Sequence, residues 1–242
     1  MRIEAFEYTN KGGRDYNEDA VIHSIKGASG IFAVADGLGG HQYGEVASSA
    51  ACETLVEDWD GSFGCDLAEW LKNKLAMANQ KILQIQNEKK ATLKSTAVVL
   101  AIEEGRTAWA NVGDSRLYYI RDDEIVSVTN DHSVAFKKYK AGEITREQIA
   151  FDEDQSCLLR SLGNKDRNEP EIYDYNLYTK PGDAFLLCSD GVWEYLLDEE
   201  ILIDLLKASD ARRWAEHLLL RIMDRIDGRN DNLSLLAVMI QP

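Results

Sequence analysis

Apolar residues in this chain fall into two rhythms. Six small or apolar residues, Gly30-Ile31-Phe32-Ala33-Val34-Ala35, run straight into an acid and then a glycine-rich turn, Asp36-Gly37-Leu38-Gly39-Gly40-His41. A run this short, with β-branched and aromatic members, reads as a buried strand closed by Asp36. Further strands are expected at Ala20–Ile25, Ser95–Ile102, Thr107–Val112, Arg116–Arg121, Glu124–Thr129, Glu171–Tyr178, Ala184–Ser189 and Leu233–Ile240. Residues 2–8 alternate without a cleanly apolar face and make a weaker strand. The other rhythm is helical. Val46, Ala47, Ala50, Ala51, Leu55 and Trp59 recur mostly three or four apart, predicting a helix over Gly44–Trp59. Asp66–Asn87 is a second helix with Asp66 as N-cap, and Asp198–Lys207 and Asp210–Ile226 are amphipathic. Residues 133–155 read as part helix and part loop, with Thr145 and Gln148 at capping-box spacing.

Strands and helices come in blocks rather than in strict alternation, which argues for α+β over a doubly wound parallel sheet. Antiparallel sheets covered by helix pairs would bury both sets of apolar faces. Only three prolines, no low-complexity tract and no fixed repeat interrupt residues 1–242, so one domain is expected. The 45% hydrophobic content supports a packed core.

A net charge of −15 argues against nucleic acid and anionic membrane surfaces as partners. The four cysteines lack Cys-x-x-Cys spacing and read as reduced thiols of a cytoplasmic protein. No apolar run approaches the ~18 residues that span a bilayer, and Met1–Glu7 has no signal-peptide core.

The acids sit at strand ends. Glu18 and Asp19 precede a strand, Asp36, Asp114 and Asp190 follow strands, and Asp231 precedes the last one. If those ends meet at one edge, the like charges need a cation, since two charges ~4 Å apart repel by about 4 kcal/mol at an effective dielectric near 20. Carboxylates with a backbone carbonyl suit Mg²⁺ or Mn²⁺ better than Zn²⁺.

Several short stretches occur in order: Arg14-x-x-Asn17-Glu18-Asp19, Asp36-Gly37-Leu38-Gly39-Gly40-His41 with Gly44-Glu45, Gly113-Asp114-Ser115-Arg116, Asp131-His132-Ser133, Arg160-Ser161-Leu162-Gly163, Ser189-Asp190-Gly191 and Asp231-Asn232-x-Ser234. Together they span nearly the whole chain. They resemble the motifs of the metal-dependent protein phosphatases, the PPM or protein phosphatase 2C family, in bacterial form. The resemblance implies a central antiparallel β-sandwich with a helix pair on each side, a four-layer αββα arrangement. It implies hydrolysis of phosphoserine and phosphothreonine by a water bridging two Mn²⁺ or Mg²⁺ ions. Asp36 would bridge the two ions, Gly37 would lend its carbonyl to one, and Asp190 and Asp231 would hold the other. Glu18 and Asp19 would bind metal directly or through water, Asp114 would support a third, weaker ion with Asp190, and Arg14 would bind the phosphate. The expected partners are phosphoproteins and an opposing bacterial Ser/Thr kinase, with the phosphatase a monomer. A non-catalytic phosphoprotein adaptor of the same fold is the alternative, and no expected acid is missing to favour it.

The chain departs from the pattern at Leu38, where many eukaryotic members carry a catalytic histidine, which leaves His41 as the candidate acid. Lys94-Ser95-Thr96 replaces Gly-Thr-Thr, and Asp152, Glu153 and Asp154 stand where relatives often carry His-Pro. His23, His132 and His217 read as structural, Asp131 as a turn acid and Asp198 as an N-cap.

Overall fold

Alternation along the strands sets the architecture, because each central strand here has two faces to bury. In the computed structural model, which describes residues 1–38 and 43–242, β1 (Arg2–Asn10), β2 (Asp19–Lys26) and β3 (Ser29–Leu38) lead into α1 (Gly44–Val56) and α2 (Leu67–Lys89). Then come β4 (Lys94–Ser95), β5 (Ala97–Glu103), β6 (Arg106–Val112), β7 (Arg116–Arg121) and β8 (Glu124–Val128). A segment with α3 (Val134–Lys140) and a 3-10 turn (Glu147–Phe151) precedes β9 (Glu171–Tyr178) and β10 (Ala184–Cys188). The chain closes with α4 (Asp190–Trp193), α5 (Asp198–Lys207), α6 (Ala211–Met223) and β11 (Leu233–Gln241).

The strands form two antiparallel sheets. One has the order β2-β3-β5-β6-β9 with β4 on β3, and the other β1-β11-β10-β7-β8. Phe32 and Val34 of β3, Val98 and Leu100 of β5, Phe185 and Leu187 of β10, and Leu236 and Val238 of β11 meet between the sheets. An aromatic group stiffens this layer, with Tyr119 stacked on Phe185 at 4.9 Å and Trp109 on Tyr173 at 5.9 Å. The alternate residues Ile31, Ala33 and Ala35 face the layer of α1 and α2, and the small Ala47, Ala50 and Ala51 of α1 allow close approach. Leu186, Cys188, Leu235 and Ala237 face α5 and α6 in the same way. The expected four-layer sandwich is therefore the observed fold.

Details differ where tertiary packing overrides local pattern. β3 continues through Asp36 to Leu38, so Asp36 lies inside the strand rather than at its end. The predicted strand Ser95–Ile102 is broken at Thr96 into β4 and β5. Asp66 caps α2 as expected, accepting the N–H groups of Ala68 and Glu69. Asp198 is not the N-cap of α5. Leu197 holds that position, its N–H donated to the Glu200 carboxylate at 3.0 Å, while Asp198 pairs with Arg146. Thr145 donates its N–H to Gln148 Oε1 at 2.7 Å, which is half of the expected capping box. Among the described residues, no helix is long and apolar enough to cross a membrane.

Candidate active site

The inward face of β3 runs Phe32, Val34, Asp36, so the register that fills the core also carries Asp36 to the open mouth of the sandwich. Across the strand pair, Asp36 stands opposite Asp19. The neighbouring pair is bonded, Gly37 N–H to Glu18 O at 3.0 Å, which makes Asp19 and Asp36 a non-hydrogen-bonded pair with their side chains close. From the other sheet, Ser189 follows β10 and donates its hydroxyl to Asp19 Oδ2 at 2.8 Å. Asp190 opens α4, with Ser189 at the N-cap position, and takes the Gly191 N–H at 2.7 Å. A Cβ on Gly191 would stand 2.1 Å from the Asn232 carbonyl, so only glycine lets Asp190 approach Asp231 this closely.

The β1–β2 loop is lashed to the start of β11. Asn232 accepts the Glu18 N–H at 2.8 Å and donates to the carbonyls of Lys11 and Tyr16. Gly13 N–H binds Asn230 O at 3.0 Å. This clamp holds Arg14 over Asp231, where Nη2 donates to Oδ2 at 2.7 Å. Arg14 remains more than half exposed, with donors left for a ligand, and Asp231 holds its guanidinium all the more firmly protonated.

Burial and mutual repulsion raise the carboxyls. Asp36 and Asp114 lie well above the usual carboxylate range, chiefly from burial, with Asp190 the largest like charge on each. Asp19 is pushed up to about 7 by burial, despite its hydroxyl partners. Asp190 is pushed up to about 6 by burial and then by Asp231. Glu18 is also raised by burial, although Gly44 N–H reaches its Oε1 at 3.2 Å and favours its charge.

These acids share one mouth rather than one point. Among the described residues, no three acid, imidazole or thiol side chains already stand at the spacing of a closed ion cage. Donor chemistry nonetheless fits a hard divalent cation, since the ligands are all oxygen and their charges are mutually destabilising. The backbone fits as well. A Cβ on Gly44 would come within 2.7 Å of the Gly37 carbonyl and 2.4 Å of Glu18 Oε1, so glycine keeps these oxygens in one cradle.

All the described site residues expected from sequence, namely Arg14, Glu18, Asp19, Asp36, Gly37, Asp114, Asp190 and Asp231, are brought to this mouth. His41 lies outside the described residues. Asp131 is not a turn acid. Its carboxylate takes both Nε and Nη2 of Arg116, at 2.8 and 2.6 Å, in a buried pair. Arg116 stacks on Trp193 at 3.6 Å, and Trp193 Nε1 donates to the Asp114 carbonyl at 3.0 Å, so the network supports the Asp114 turn. His132 takes the Gly113 N–H at 3.2 Å and faces Glu171, a packing role as expected.

Two residues not expected from the sequence also adjoin Asp190. Glu194, one turn after Asp190, is pushed up to about 8 by burial and then by Asp190 and Asp231. The spacing Asp190-x-x-x-Glu194 on a helix was the available signal. Gln155, from the segment after α3, lies near enough to Asp190 to favour its charged form, yet its buried Nε2 meets no acceptor at hydrogen-bond geometry.

The chain matches the protein phosphatase 2C family profile over residues 12–218. The protein phosphatase PhpP of Streptococcus pneumoniae is 34% identical over 193 residues, covering 78% of each chain. The S. agalactiae serine/threonine phosphatase superposes with a TM-score of 0.86 at 26% identity, over 99% of this chain and 100% of that one. The catalytic domain of the phosphatase PstP, described in complex with two manganese ions, gives 0.83 at 27% identity over 99% of both chains. With its sandwich, its acids and its relatives in agreement, the chain belongs to the protein phosphatase 2C family of serine/threonine phosphatases.

Proposed function

We propose that this protein removes phosphate from phosphoserine and phosphothreonine in proteins, using two Mn²⁺ or Mg²⁺ ions held at the mouth of the sandwich. The observation that carries the reading is the convergence of acids from both sheets beneath an exposed arginine. Asp36, the Gly37 carbonyl, Asp190 and Asp231 would hold the pair, with Glu18 and Asp19 beside them. Asp114 and Glu194 would serve a third, weaker site next to Asp190. When bound, the ions supply an activated water and neutralise charge on the phosphoryl oxygens.

The chain's own groups do the rest. Arg14 offers parallel N–H donors to the phosphate, and its tie to Asp231 aims them. Ser189 fixes Asp19, so that carboxylate keeps one orientation. His41 is the proposed donor of the proton that the leaving serine or threonine oxygen needs. Residues 1–242 would then be one catalytic domain, acting as a monomer in the cytoplasm opposite a Ser/Thr kinase. Retention of every expected acid favours catalysis over an adaptor role.

Hydrolysis of a phosphothreonine peptide is expected to require added Mn²⁺ or Mg²⁺ and to stop in excess chelator. Turnover that survives chelation would sink the metal mechanism. Peptide binding without turnover at saturating metal would establish the adaptor instead.

A further inference from the structure

Four strands end the two sheets, and open edges invite pairing with another chain unless they are guarded. β1 carries Arg2, Glu4 and Glu7, and β2 carries His23, hydrogen-bonded to Glu7, and Lys26. β9 is interrupted at Asn176, whose φ is 52°. β8 has a charge only at its start, Glu124, and Val126 at its centre stands 57% exposed. Beside β8 lies an open groove of about 490 Å³, walled by Leu202 and Glu199 of α5 and by Arg146.

The charge of the groove points to an occupant. Arg146 is already paired with Asp198, through Nε at 3.0 Å, and leaves no free positive charge there. Glu124 and Glu199 are exposed and make no ion pair among the described residues, in a chain of net charge −15. We propose that this groove docks an extended, basic segment of a phosphoprotein substrate, which adds to β8 as a further strand. Main-chain bonds to the strand edge would give affinity, and Val126 with the two free glutamates would select apolar and basic side chains.

β8 points at the active site. Val128 pairs with Tyr118 and Glu124 with Arg121, whereas Asp114 precedes β7 on the same sheet. At ~3.3 Å per residue, the groove therefore lies about 13 to 23 Å from Asp114, at least four extended residues from the phosphorylated one. The proposal rests on the phosphatase reading for what is docked, not for the docking itself.

The test compares phosphothreonine peptides ending four residues from the phosphoresidue with peptides extended by eight residues, on either side, with a basic-apolar or an acidic sequence. A basic-apolar extension on one side is expected to raise kcat/KM about tenfold through KM, an acidic one not at all. Glu124→Lys/Glu199→Lys changes two exposed positions. It is expected to erase that advantage and leave p-nitrophenyl phosphate turnover unchanged. No advantage from any extension, an equal gain from acidic ones, or an advantage that survives the double variant would overturn the docking site. If wild type hydrolyses neither substrate, the phosphatase reading fails. Fluorescence anisotropy with the unphosphorylated basic segment then decides the groove alone, with binding to wild type and loss in the double variant expected, and no binding overturning it.

Discussion

Replacing Asp190 by Asn should stabilise the metal-free protein while weakening its hold on metal. Asp190 takes the Gly191 N–H, and an Asn side-chain oxygen keeps that bond. What Asn removes is charge. Asp190 is raised to about 6 from a usual 3.8, first by burial and then by Asp231. An acid with a raised folded pKa holds its proton more tightly in the folded state, so stability falls as pH rises from 3.8 through 6 and stays low above that. At 1.36 kcal/mol per pH unit, keeping Asp190 ionised in the fold costs about 3 kcal/mol at pH 8. A chain of this size shifts its melting temperature ~2–4 °C per kcal/mol, so the variant should melt about 6–12 °C above wild type in chelator at pH 8. Near pH 4 the two proteins should converge. Added Mn²⁺ should raise wild type by mass action, about 2.7 kcal/mol at a hundred times Kd, and the variant much less. The assay is thermal unfolding by circular dichroism at pH 4, 6 and 8, with chelator and with Mn²⁺. A variant that melts below wild type in chelator at pH 8 would refute the argument that these acids are held against their own repulsion.

Three other outcomes follow from the geometry. His41→Ala should slow a phosphothreonine peptide more than p-nitrophenyl phosphate, since an alkoxide needs a proton and nitrophenolate does not; equal losses would remove His41 from the proton transfer. Asp114→Ala should leave two tightly bound ions by calorimetry but lower turnover, and loss of both ions would show that Asp114 belongs to the main pair. Asp131→Ala strands the buried Arg116 and should cost about 3–5 kcal/mol in urea unfolding, and a loss under 1 kcal/mol would mean that the pair adds little.

How much of this was legible in the sequence depended on whether a residue's neighbours were local. Asp36, Asp190 and Asp231 could be placed because each adjoins a run of apolar strand residues. β1 was nearly unreadable because both of its faces are partly covered, Ile3 and Ala5 between the sheets and Phe6 and Tyr8 on the other side, so the period-two contrast disappears. Asp131 looked like a turn acid because its partner, Arg116, reaches it only through packing of the β7–β8 hairpin. Glu194 went unnoticed because α4 is a single turn, too short to show helical periodicity. Asp198 resembled a cap because an acid before a helix usually is one, and Arg146, 52 positions away, claimed it instead.

The order of the second sheet has a consequence for the protein's birth on the ribosome. β11, which follows every other strand described, lies between β1 and β10. Thr9 and Ser234, which share a hydrogen bond, are 225 positions apart. Until the last strand emerges, β1 has no neighbour in its own sheet, and Asp231 is not yet beneath Arg14. A chain that stops short of β11 carries Asp19, Asp36, Asp114 and Asp190 without Asp231. A product cut before β11 is therefore expected to lack phosphatase activity, because it cannot bring Asp231 to Asp36 and Arg14.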